Sequence, residues 1–174
     1  MNKLLTVAIA ASLYILASAQ TSVIEQIDAK VRRIDGESKK YVRTQQKFYE
    51  GTSEGGQMTF YASPYATGKE LKKAVVEAYG ETGKSQTQLY YDQGELIFAS
   101  RRTLLYRSPT SVNPRPRIAK TINERVYFAG GKLLKHFIKG VNPTLRPEES
   151  AEQILSLSQE VRKAFAEQTR RSHQ

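Results

Sequence analysis

The sequence predicts an α+β fold: a meandering antiparallel β-sheet flanked by an N-terminal and a C-terminal helix. Three observations carry this. Apolar residues recur at helical spacing near each end of the chain, the middle alternates with the two-residue period of strands, and a nine-residue pattern occurs twice with a glycine turn at its centre.

The first segment reads as an export signal. Lys3 provides a positive start, Leu4 to Ala17 is uncharged and apolar, and Ala17-Ser18-Ala19 has the small-x-small form of a cleavage site. Cleavage near Ala19-Gln20 leaves a mature chain placed in the periplasm or outside the cell. The stretch is shorter than the ~20 apolar residues of a spanning helix. No later segment predicts a transmembrane span. The expected division is signal peptide 1–19, helix plus meander 20–146, and helix plus tail 147–174. Cysteine is absent, so no disulfide staples the domain and no lipid can be attached through a thiol.

The first mature element is a helix over Thr21 to Ile34. Ile24, Ile27, Val31 and Ile34 share one face, Ser22 and Glu25 have the spacing of a capping box, and Gly36 ends the run. Tyr41 to Tyr49 then reads as a strand and Glu50 to Gly56 as a turn. In Met58 to Ala62, Met58 and Phe60 fall on one face, and Thr59 and Tyr61 on the other. Leu71 to Tyr79 fits either helix or strand. The hairpin-like Glu81-Thr82-Gly83-Lys84 that follows favours strand.

The repeat comes next. Leu89 to Ile97 (LYYDQGELI) aligns with Val126 to Leu134 (VYFAGGKLL). Each copy has the composition of a β-hairpin: aromatic and aliphatic flanks around a glycine that tolerates positive φ. Between the copies, Ser108 to Asn123 contains Pro109, Pro114 and Pro116 and reads as a long basic loop. The last element is a helix starting at Pro147, with Glu148 and Glu149 at its positive end. Its apolar stripe is Ile154, Leu157, Val161 and Phe165, widened by Leu155.

Charge supplies the candidate binding residues. The chain carries a formal +10, and +9 once Lys3 is removed. Residues 101–125 hold seven basic side chains, Arg101, Arg102, Arg107, Arg115, Arg117, Lys120 and Arg125, against one acid, Glu124. Such a concentration in an exported protein points to an anionic envelope component or an acidic protein partner. Export argues against nucleic acid. The eight tyrosines on predicted strands suit packing on a half-buried sheet, and, interleaved with Arg and Lys, also the stacking of bases or sugars.

Chemistry-bearing motifs are sparse. Ala78 to Ser85 (AYGETGKS) has the relaxed spacing of a phosphate loop, but that loop must open a helix, and strand-like residues follow. His136 and His173 stand apart, with no cluster of acids or cysteines to complete a metal site. No catalytic residue, metal or cofactor is assigned. Two alternatives to an anion-binding protein remain: an envelope hydrolase using His136 as its base, and a structural or inhibitory module that docks on another protein.

Tyr79 to Phe98, with Y-G-E-T-G-K, an aromatic pair, a glycine turn and L-I-F, resembles small secreted bacterial envelope proteins. The two hairpin copies resemble degenerate MORN-like repeats. The resemblance implies an antiparallel meander and a bacterial envelope setting, and it carries over no catalytic residue.

Overall fold

The computed structural model describes residues 22–50, 54–64, 70–140 and 146–171. The expected signal peptide lies outside them. Helix α1 covers residues 22–36, and a 3-10 turn follows at Ser38–Lys40. Seven strands come next: β1 Val42–Glu50, β2 Glu54–Ser63, β3 Glu70–Gly80, β4 Gly83–Asp92, β5 Glu95–Tyr106, β6 Ile118–Ala129 and β7 Lys132–Lys139. Helix α2, Pro147–Arg171, closes the described chain.

The strands form one sheet in sequential order, every neighbouring pair antiparallel. This is the predicted α+β meander with a helix near each end. Residues 71–79 lie within β3, where burial of Leu71, Ala74 and Val76 sets the inner face. Two sequence boundaries need correction. Residues 54–56 belong to β2 rather than to a turn, because Gly55 and Gly56 pair with both neighbouring strands. The basic loop is shorter than 108–123, since Ile118 to Asn123 is already β6, where Ile122 is buried.

The two copies of the repeat have the same structure. Gln93-Gly94 and Gly130-Gly131 occupy equivalent turns with positive φ at both residues, which is the twist-matched geometry of a tight hairpin. Each copy then bulges at the same place. Tyr91 pairs with Leu96 and Tyr90 with Phe98, leaving Ile97 extra. Phe128 pairs with Leu133 and Tyr127 with Lys135, leaving Leu134 extra.

The helices cover opposite faces. On one face Phe60, Leu89, Tyr91, Val126 and Phe128 pack under Ile154 and Val161 of α2. Contacts along α2 trace its path across the strands. Ser150 meets Glu124 of β6, Ser158 meets Tyr91 of β4, Phe165 lies against Phe60 of β2, and Gln168 meets Thr44 of β1. Twenty-five residues at about 1.5 Å each exceed the roughly 29 Å width of seven strands, so one helix spans the sheet. On the other face Ile27 and Ile34 of α1 pack on Tyr90, Phe98 and Tyr127. These three aromatics form one lateral row through successive strand pairs.

Candidate functional site

The seven basic residues of 101–125 are divided by strand alternation and do not form one cluster. Arg101 points to the α2 face. Its Nε donates to Glu124 Oε2 at 2.5 Å, and its guanidinium also reaches Ser150 and Gln153. Ser150 donates to Glu124 Oε1 at 2.7 Å, and His136 Nε2 lies 3.2 Å from the same oxygen. The Glu124 side chain is only 2% exposed. Burial alone would raise its carboxyl pKa. Hydrogen bonds from Arg101 and Ser150, with the charges of Arg101 and His136, outweigh that and hold it below the ordinary carboxylate range.

This arrangement occupies two of the side chains singled out from the sequence. Arg101 is engaged with the protein's own acid. His136 is enclosed with its side chain 4% exposed, and the fully buried Ser150 directs its proton to Glu124 rather than to His136. A nucleophile and base must meet both each other and a substrate, and here they meet a shared carboxylate inside the core.

Arg125 points to the α1 face and pairs with Asp28 at 3.0 Å, its guanidinium lying over the Phe98 and Tyr127 rings. The same Asp28 oxygen accepts from the Tyr127 hydroxyl at 3.0 Å. One repeat earlier, Asp35 accepts from the Tyr90 hydroxyl and pairs with Lys73, which sits over the Tyr90 ring. The two copies therefore present equivalent tyrosines to two acids seven residues apart on α1.

The other basic residues remain available. Arg102 is exposed on the α1 face, beyond the part that α1 covers, and Lys120 is partly exposed on β6. Arg107, Arg115 and Arg117 are exposed in the connection between β5 and β6. That connection is pinned to the β3–β4 turn: Tyr106 N donates to Thr82 O at 2.9 Å, and Thr110 N to Glu81 O at 2.8 Å. The Gly80 to Lys84 segment is thus a two-residue turn between paired strands. It opens no helix and so lacks the element that makes a phosphate loop bind phosphate.

The uncovered part of the α1 face is the candidate site. Strand register places Lys47, Gln57, Glu77, Gln86, Arg102, Asn123 and Lys139 in a single lateral row across all seven strands. The next row includes Tyr49, Gly55, Tyr79, Lys84 and Leu104. Lys47, Lys84, Arg102 and Lys139 are all exposed. Around Arg102 lies a shallow depression bounded by Glu77, Tyr79, Lys84, Gln86 and Leu104.

Sequence reasoning found Arg102 and the loop arginines but missed Lys47, Lys84 and Lys139. Each lies on a different strand, far apart in the sequence, and only cross-strand register unites them. Among the described residues, no three potential metal ligands gather and no helix is long and apolar enough to cross a membrane. No family model matches the chain, and no curated protein or solved structure matches it.

Proposed function

We propose that this chain is an exported, non-enzymatic binding protein that takes an anionic ligand on the uncovered part of its α1 face. The observation that carries this is the row through Lys47, Arg102 and Lys139, adjoined by Lys84, in which Glu77 is the single acid. Among the described residues these cations have no acidic partner within 4.0 Å, unlike Arg101, Arg125, Lys73 and Lys30, which are paired. Arg107, Arg115 and Arg117 extend the positive surface from the connection docked at the same end of the sheet. The export signal and the resemblance to envelope proteins support an envelope ligand.

The test is binding of residues 20–174 to fluorescent polyglutamate and polygalacturonate at low and moderate salt. The double charge reversal Lys84→Glu/Arg102→Glu should weaken binding of any anionic ligand at least about tenfold, or ~1.4 kcal/mol, and flatten its salt dependence. A control with the same net charge, Lys132→Glu/Lys163→Glu, reverses two exposed lysines elsewhere and should leave affinity nearly unchanged. Equal losses in both would reduce the effect to net charge and reject the site.

A further inference from the structure

Resting on the anion-binding reading, the side chains around Arg102 also define the ligand's chemistry, and we infer that it is an acidic saccharide. A surface built for a dense polyanion would be lined mainly by cations. Here the row through Arg102 mixes cations with amides: Gln57, Gln86 and Asn123 stand among Lys47, Arg102 and Lys139 on the α1 face. An amide both donates and accepts. That double capacity matches hydroxyl groups, which also do both, and is wasted on carboxylates or phosphates, which only accept.

Glu77 strengthens the distinction. It lies inside the positive row, where it would repel a uniformly anionic chain. It accepts from Gln86 Nε2 at 3.1 Å, and a carboxylate with two oxygens has further capacity to accept from a sugar hydroxyl. A saccharide with its carboxylate at Arg102 and Lys84 and its hydroxyls at Glu77 and Gln86 satisfies both signs of charge in one depression.

Two exposed rings complete the site. Tyr49 and Tyr79 are 78% and 50% exposed and lie in one lateral row on either side of Gly55. Gly55 keeps the floor between them low. A Cβ there would lie 2.9 Å from the Phe48 carbonyl oxygen and 3.4 Å from the Tyr49 ring. Two strand spacings separate the tyrosines' backbones, roughly 10 Å, about the length of a disaccharide. Each ring offers an apolar face to the C–H side of a pyranose, and the Tyr79 hydroxyl is directed at the Glu77 carboxylate.

The experiment compares three labelled probes on the intact mature chain: oligogalacturonate, a neutral hexose oligomer of equal length, and polyglutamate of equal charge. The wild type should bind oligogalacturonate at least about tenfold more tightly than either other probe. Tyr79→Leu should remove most of that preference while leaving polyglutamate affinity within twofold. Tyr79→Phe, which keeps the ring, should retain it, and this pair separates lost stacking from misfolding. Polyglutamate binding as tight as oligogalacturonate, or a Tyr79→Leu variant with unchanged preference, would overturn the saccharide inference and leave the anion site standing. Binding to none of the probes would overturn both.

Discussion

The two faces of this sheet come from the same strands, yet one is closed and the other half open. The α2 face is apolar from β2 to β6 and is crossed by a single helix along its whole width. The Arg101–Glu124–His136–Ser150 knot on this face is largely enclosed and satisfies its own hydrogen bonds. The α1 face carries a row of aromatics beneath a shorter helix, and beyond that row its residues are polar, cationic and exposed. The difference shows that alternation can assign two jobs to one strand. Residues of one parity build the larger core, and those of the other parity pack under α1 along one stretch of the sheet and are displayed beyond it.

The sharpest way to break that contrast is to damage the closed face. Phe128→Ala, at a fully buried position, should cost about 3–5 kcal/mol, read as a fall in the denaturation midpoint with an unchanged m-value. Glu124→Gln should cost about 3 kcal/mol, within the range for breaking a buried charge pair. A loss under about 0.5 kcal/mol would show that the knot is dispensable.

Proton linkage offers a second measurement on the same group. Because Glu124 titrates below its ordinary value of 4.5 in the folded chain, its contribution is full above that pH. It is lost as the pH falls further, toward the folded value. The difference in stability between wild type and Glu124→Gln should therefore shrink progressively below about pH 4.5. Chemical denaturation as a function of pH reads this directly, and a pH-independent difference would refute the assignment. At the alkaline end, burial pushes the Tyr91 hydroxyl up to about 12, against the opposing effects of Ser158 and Arg162. Stability held by neutral Tyr91 is full below about pH 10 and declines as the pH rises through the folded value. Tyr91→Phe should soften that decline.

On the half-open face the effects are smaller. Asp28→Asn and Asp35→Asn should each cost about 1 kcal/mol, since their hydrogen bonds are partly exposed. The double variant should cost close to the sum, because the two sites share no partner. A strongly non-additive loss would mean that α1 docks as one cooperative unit. Smallest of all, Arg102→Glu should change stability by less than about 0.5 kcal/mol while impairing anion binding. A large loss of stability there would place Arg102 among the structural residues and narrow the display surface.

Much of this contrast was legible in the sequence. The stripe Ile154, Leu157, Val161 and Phe165 identified α2 and its inward face, because local periodicity is sufficient for that. The paired LYYDQGELI and VYFAGGKLL copies identified both hairpins, because glycine placement and aromatic flanks are local signals too. The fate of each cation was not legible. Arg101 and Arg102 are adjacent and chemically identical, but one meets Glu124 inside the core and the other faces outward. Which is which depends on the parity of β5 after the bulge at Ile97, a single extra residue that reverses every later side chain. Likewise, the proline-marked connection obscured the start of β6, because Ile118 to Asn123 becomes a strand through its pairing with β5, a non-local contact.

The matched clamps at Asp28 and Asp35 make α1 a gauge for the hairpin repeat. Seven helical residues advance about 10.5 Å, while two strand spacings advance roughly 9.6 Å. The scales agree to within about 1 Å over one step, as on a vernier, and the mismatch accumulates with each further step. A straight helix can therefore register two such hairpins well and a third less well, before sheet twist is even considered. The number of hairpins this architecture can hold under one helix is thereby bounded by geometry rather than by sequence.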